Sequence, residues 1–101
     1  MIDLKKLQKE IYDNKVAKGF NISDVNFEFG LTYGELAEAF NAYRKKLPDL
    51  GEELADVVIY LFGLAAILNI DIENEILKKV EKNKKREYQK INGVNIRTKN
   101  A

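Results

Sequence analysis

Two acidic blocks decide how this chain folds: Gly34-Glu35-Leu36-Ala37-Glu38-Ala39 and, after the only proline, Gly51-Glu52-Glu53-Leu54-Ala55-Asp56-Val57. In each block two acids stand three residues apart, as Glu35 and Glu38 and as Glu53 and Asp56. Residues with this spacing share one face of an α-helix, with Cβ atoms roughly 5–6 Å apart. Pro48 disfavours helical geometry at the residue before it, so a first helix ends there and a second folds back against it. The sequence therefore predicts four carboxylates that converge inside a helical hairpin.

Apolar spacing and capping residues predict four helices along the chain. The first runs from its cap Asp3 to Gly19, the second from about Asp24 to Lys46, the third from about Leu50, capped by Asp49, to Asn69, and the fourth starts after its cap Asp71. The third is apolar around most of its circumference, which is typical of a helix at the centre of a bundle. Short connections predict an all-α fold, an antiparallel four-helix bundle. We expect a single helical domain over residues 1–88 and a flexible basic C-terminal tail over residues 89–101.

Composition narrows the possible classes of protein. The 101 residues are 46% hydrophobic and 33% charged, which suits one small globular domain. Cysteine and histidine are both absent, which excludes disulfides, thiolate nucleophiles, zinc–sulfur sites and histidine bases. The longest apolar run, residues 57–68, is shorter than the roughly twenty residues of a membrane span. We expect a cytoplasmic protein without a membrane partner.

Several aromatic residues are left over once one bundle face is filled, and they predict a homo-oligomer whose assembly enlarges a thin core. These residues are Tyr12, Phe20, Phe27, Tyr33 and Tyr88. The charges are also unevenly distributed, at −6 over residues 1–75 and +7 over residues 76–101. A solvated helix face with a loose tail is the favoured interpretation of the basic end, and nucleic-acid binding by residues 78–99 is the alternative.

The acid pairs point to a cation. Glu53 and Asp56 lie in the most apolar helix, where an unpaired charge is costly. An all-oxygen ligand set selects a hard cation, Mg²⁺ first and Mn²⁺ second. Pairing of the acids with lysine or arginine inside the bundle is the alternative, and it is a stronger one for Glu35 and Glu38 than for the second pair.

Four stretches of the sequence resemble the MazG-like all-α nucleoside triphosphate pyrophosphohydrolases. They are the two acidic blocks, Asn69-Ile70-Asp71-Ile72 and Lys79-Val80-Glu81-Lys82-Asn83-Lys84-Lys85-Arg86. The resemblance covers roughly residues 25 to 88. It implies a helical bundle that works as a homodimer or homotetramer, with the active site between helices and sometimes between protomers. It also implies that the bundle uses Mg²⁺ to cleave a nucleoside triphosphate into the monophosphate and pyrophosphate. We therefore expect an enzyme that removes nucleoside or deoxynucleoside triphosphates from the nucleotide pool.

Carried over by position, the resemblance implies roles for particular residues. Glu35, Glu53 and Asp56 would be metal ligands, and Tyr60, one turn after Asp56, would lie near the nucleotide. Asn83 and Arg86, with Lys79, would approach the phosphates or the base from the last helix. Glu38 is assigned by elimination to orient or deprotonate the attacking water.

The first block departs from the family pattern at Leu31 and Thr32, where the family has a glutamate pair that includes a metal ligand. Glu38 can substitute because it lies one turn from Glu35 on the same face, whereas seven residues of helix put Glu28 roughly 10 Å from Glu35. This departure supports the alternative function, a catalytically impaired MazG-like module that binds nucleotides or mediates oligomeric interactions.

Overall fold

Four α-helices packed together and a small C-terminal β-hairpin make up the structure, a computed structural model that describes residues 1–99. The helices are α1 (Leu4–Ala17), α2 (Val25–Arg44), α3 (Leu50–Ile67) and α4 (Ile72–Lys85). α2 and α3 form a helical hairpin, α1 packs on α3, and α4 contacts both α1 and α3. The predicted four-helix fold is confirmed, with α3 in contact with the other three helices.

The helix ends follow the sequence signals. The carboxylates of Asp3, Asp24 and Asp71 each accept a hydrogen bond from the backbone N–H three residues later, at 3.0–3.1 Å. Gly19, with φ of 70°, ends α1 in the left-handed conformation that glycine adopts at little cost. Asp49 stands at the N-cap of α3, but its side chain makes no capping hydrogen bond, so only its position was predicted correctly.

A buried glutamine ties α1 to the turn between α3 and α4. The Nε2 of Gln8 donates to the carbonyl oxygen of Ile70 at 2.8 Å, and its Oε1 accepts from the backbone N–H of Ile72 at 3.4 Å. The backbone N–H of Leu4 donates to Glu73 in α4 at 3.2 Å. These bonds satisfy helix-terminal groups and hold α1 across α3.

The core of a single chain is small. Among residues 1–99, the buried apolar side chains are those of Ala39, Ala42, Phe62, Leu64 and Ala65. The N-terminal half of α3 was predicted to be buried, yet Leu54 and Val58 are each about half exposed. The accessible surface is 7872 Å², against about 5,800 Å² for a compact monomer of this mass. The radius of gyration is 16.9 Å, against about 13 Å for a compact chain of this length.

The C-terminal segment differs from the prediction of a flexible tail. Strands β1 (Glu87–Ile91) and β2 (Val94–Lys99) form an antiparallel hairpin around Asn92 and Gly93, which both have positive φ. An Asn-Gly pair between two short strands is a strong hairpin signal because it suits a two-residue turn with positive φ at both positions. The last part of the predicted tail, residues 100 and 101, lies outside the described residues.

Within residues 1–99 no single helix is both long and apolar enough to cross a membrane. α3 and α4 meet that criterion only as a pair, and the pair is bent by 111° at its junction.

Candidate metal and nucleotide site

The turn between α2 and α3 brings the two acidic blocks together. α2 ends with the backbone N–H of Leu47 donating to the carbonyl oxygen of Ala42 at 2.9 Å, while Lys46 takes a positive φ of 57°. Pro48 follows at once, so the chain leaves the helix and enters α3 at Leu50. This short connection sets the N-terminal half of α3 against the middle of α2.

Three carboxylates converge at this place. Glu35, Glu38 and Glu53 each offer one oxygen, and these oxygens all lie within 4.8 Å of one another. Glu35 and Glu53 are half-buried, whereas Glu38 is exposed. One oxygen of Glu53, Oε2, is buried and has no hydrogen-bond partner. Spacing and burial of this kind suit a single hard cation, which takes carboxylate oxygens as its preferred ligands.

Asp56 is not one of the three converging carboxylates, although it is close enough to act on them electrostatically. Its negative charge helps to raise the pKa values of both Glu35 and Glu53. The side chain is half-buried. The predicted set of four acids is therefore divided into a cluster of three and a neighbouring fourth.

The carboxyl groups of the cluster repel one another. Burial raises the pKa of Glu35 above its ordinary value, and the charges of Glu38, Asp56 and Glu53 raise it further. Burial and then the charge of Glu38 raise the pKa of Glu53 in the same direction. Among residues 1–99, none of the ion pairs includes these acids. The alternative of pairing with lysine or arginine inside the bundle is therefore not found in this part of the chain.

Thr32 does not replace the missing family carboxylate. Its hydroxyl donates to the backbone carbonyl oxygen of Glu28 at 2.8 Å, a bond that threonine commonly makes inside a helix. The same side chain lines an apolar groove beside Phe29 and Val57. The third carboxylate of the cluster comes instead from Glu38.

Tyr60 lies beside the acidic cluster. Its pKa is raised, first by burial and then by the charges of Glu35, Glu28, Asp56 and Glu38. Its ring also lies under a cation, because the Nζ of Lys15 is 5.6 Å from the ring centroid. Tyr60 is therefore close both to the acidic cluster and to a lysine of α1.

A buried ion pair joins α1 to α2, and it was not predicted from the sequence. Lys15 and Glu28 are in direct contact through Nζ and Oε1, with side chains only 13% and 3% exposed. The second oxygen of Glu28, Oε2, is buried without a hydrogen-bond partner. The position of Lys15 could have indicated this pair. It lies four residues after Ile11, on the apolar stripe of α1, where a lysine is unexpected.

The predicted phosphate-binding residues of α4 form a separate basic group. Arg86 donates from Nη1 to the side-chain oxygen of Asn83 at 3.0 Å, and its Nε is buried without a partner. The charge of Arg86, burial, and the charges of Lys82 and Arg97 all lower the pKa of Lys79. The charges that shift the pKa of Lys79 are thus all positive, whereas those acting on the acidic cluster are all negative. Among residues 1–99, no ion pair or side-chain hydrogen bond joins Lys79, Asn83 or Arg86 to the acidic cluster.

Comparison with known proteins places the chain in a family. The family model described as the MazG-like family matches residues 29–99, which include both acidic blocks and the basic end of α4. No curated protein and no solved structure matches the chain. Since the match spans well over half of the sequence, the chain belongs to the MazG-like family.

Proposed function

We propose that this protein is a Mg²⁺-dependent pyrophosphohydrolase that cleaves nucleoside or deoxynucleoside triphosphates into the monophosphate and pyrophosphate. Membership of the MazG-like family implies the nucleoside triphosphate pyrophosphohydrolase superfamily and nucleotide substrates. The observation that carries the proposal is the convergence of Glu35, Glu38 and Glu53 within 4.8 Å. A divalent cation bound at this place would offset the repulsion among the three acids.

The residues present fit a hard divalent cation. Glu35 and Glu53 would hold it, because both are half-buried and Glu53 has a buried oxygen without a partner. Asp56 adds a further negative charge beside them. When bound, Mg²⁺ would neutralise the phosphate oxygens and polarise the bond that breaks. Mn²⁺ is an alternative ion with the same preference for oxygen ligands.

The remaining side chains would supply a general base and the positive charges that bind the phosphates. Glu38 is the exposed member of the cluster, so its carboxylate can accept a proton from a water molecule that attacks the triphosphate. The attack forms a new phosphorus–oxygen bond and breaks the bond between the α- and β-phosphates, which releases pyrophosphate. The positive charges of Lys79 and Arg86 would bind the phosphates, with Asn83 holding the guanidinium of Arg86.

A second copy of the chain is part of the proposal. The surface of the single chain exceeds that of a compact monomer by about 2,000 Å², as much as a stable protein–protein interface buries in total. An apolar groove on the α2–α3 hairpin, about 260 Å³ in volume, lies open beside Phe29, Tyr33 and Leu61. A homodimer or homotetramer would cover this groove. Such an assembly would also let the basic end of α4 from one copy approach the acids of another.

The proposal is tested by incubating the protein with Mg²⁺ and a panel of nucleoside triphosphates and identifying the products by phosphorus NMR. Pyrophosphate and monophosphate are expected. Glu53→Gln should abolish turnover and the thermal stabilisation by Mg²⁺, whereas Glu52→Gln, an exposed neighbour on the same helix, should retain both. Release of orthophosphate and diphosphate would refute the assigned bond, and a melting temperature indifferent to Mg²⁺ would refute the metal site.

The alternative function, a nucleotide-binding module without catalysis, has one observation in its favour. The place of a family ligand is held by Thr32, whose hydroxyl is already bonded to the helix backbone. Nucleotide binding in the presence of Mg²⁺ without release of pyrophosphate would select this alternative.

A further inference from the structure

A small pocket lies between α1 and α3 and shares Tyr60 with the surroundings of the acidic cluster. It has a volume of about 100 Å³ and is lined by Ile11, Asn14, Lys15, Phe20, Ile59 and Tyr60. The first four of these residues precede residue 29, where the match to the family model begins. The pocket is therefore built mainly by a segment of this chain that the family pattern does not describe.

The size and walls of the pocket suit one flat ring. An enclosed apolar cavity of about 150 Å³ holds a benzene molecule, so a pocket of about 100 Å³ with an open mouth accommodates one six-membered ring and is too small to enclose a fused pair. Phe20 and Tyr60 supply aromatic faces, and Ile11 and Ile59 supply aliphatic contacts. Aromatic side chains stack on nucleobases irrespective of their sequence.

A fixed ammonium group stands at the edge of this pocket. The aliphatic stem of Lys15 crosses α3 at Gly63, where a Cβ atom would lie only 3.2 Å from its Cδ. Its Nζ reaches the buried carboxylate of Glu28 and lies over the ring of Tyr60. An ammonium carries three donors, and the pair with Glu28 uses one of them. Lys15 therefore presents a positioned hydrogen-bond donor to a ring in the pocket.

The pocket also adjoins the acidic cluster. Tyr60 forms one of its walls and is close enough to Glu35, Glu38 and Asp56 for their charges to raise the pKa of its hydroxyl. Tyr60 is thus shared by the pocket and the surroundings of the candidate metal site.

We infer that this pocket binds the base of the nucleotide substrate and selects pyrimidines over purines. The inference rests on the proposed function for the identity of the substrate. Every pyrimidine base carries a carbonyl oxygen at position 2 that can accept a hydrogen bond from Lys15. Asn14 offers both a donor and an acceptor, which complement the edge of either cytosine or uracil and thymine. A purine has two fused rings, which the pocket cannot enclose.

Turnover of single nucleotides tests this specificity. The value of kcat/KM for pyrimidine nucleoside triphosphates is expected to exceed that for purine ones by at least about tenfold, the order expected when buried polar groups lose their partners. Asn14→Ala should raise KM for pyrimidine substrates severalfold with little change in kcat, because it removes binding to a part of the substrate that does not react. Asn74→Ala, the same change at an exposed position of α4, is the control and should leave both constants unaltered.

Binding of nucleoside monophosphates, measured by calorimetry, separates the two proposals. Selective binding of the pyrimidine monophosphates, weakened by Asn14→Ala, would support the pocket even if no triphosphate were hydrolysed, and the proposed function alone would then fail. Hydrolysis of purine and pyrimidine triphosphates at equal rates would overturn the pocket and leave the proposed function intact. Equal effects of Asn14→Ala and Asn74→Ala on pyrimidine binding would overturn it as well.

Discussion

The substitution Glu28→Gln should destabilise the protein strongly, although glutamine has nearly the same shape as glutamate. In Glu28→Gln the ammonium of Lys15, only 13% exposed, would remain between the helices without its counter-ion. Breaking a buried ion pair by removing one partner costs about 3–5 kcal/mol, because the remaining charge is left buried. For a domain of this size that loss lowers the melting temperature by at least about 12 °C. The expected effect is thus large enough to measure by urea denaturation at one fixed protein concentration.

The chain contains its own control for this experiment. Lys9 and Asp13 form an ion pair with an N–O distance of 2.6 Å, but their side chains are 74% and 56% exposed. Asp13→Asn should therefore cost no more than about 1 kcal/mol. The double variant Lys15→Met with Glu28→Gln should recover much of the stability lost by Glu28→Gln, since no uncompensated charge remains. A loss for Glu28→Gln no greater than that for Asp13→Asn would refute the view that the pair is buried and coupled.

Three further predictions concern the acids, a glycine and the assembly. Without divalent cations, stability should fall as pH rises above about 4.5, because the raised pKa values of Glu35 and Glu53 favour their protonated forms in the folded state; excess Mg²⁺ should reduce this fall, as thermal melts across pH would measure. Gly63→Ala should be less stable than Gly51→Ala on the same helix by about 1 kcal/mol or more in urea denaturation, since only the alanine at position 63 meets a neighbouring side chain at 3.2 Å. Mixing inactive Glu53→Gln with inactive Arg86→Ala should restore partial activity if different copies supply the acids and the base, and no recovery in mixed oligomers would contradict a shared site.

Local signals in the sequence predicted most of the helical framework. Asp3 and Asp71 were predicted as caps because aspartate accepts bonds from the N–H groups that a helix start leaves free, and both make those bonds. The stop after α2 followed from Pro48. The hairpin at Asn92-Gly93 was not predicted, because the fading helical period after Lys82 indicated a frayed end or a flexible tail. The Asn-Gly pair is nevertheless a local turn signal, and both residues take the positive φ that a two-residue turn needs.

Contacts between distant parts of the chain were harder to predict. The i,i+3 spacing correctly indicated that Glu35 and Glu38 share a face, but only the α2–α3 packing shows that Glu53, rather than Asp56, lies within 4.8 Å of both. The contact of Lys15 with Glu28 depends on α1 crossing α3 at Gly63. No pattern within one helix specifies such a crossing, because it is set by which faces pack together.

The acidic cluster, the basic group and the open apolar groove each lower the stability of the isolated chain. Like charges held close together lower stability, at Glu53 through neighbouring carboxylates and at Lys79 through neighbouring cations. A bound divalent cation would reduce the repulsion among the carboxylates. A bound polyphosphate would reduce the repulsion among the lysine and arginine side chains and would also bind that cation. The charge of each group therefore selects a ligand that is attracted to the other group. Under the proposed function, a second copy packed on the apolar groove would bring both groups to one substrate. The two groups come from segments of opposite charge, −6 over residues 1–75 and +7 over residues 76–101, in a chain whose net charge is only +1.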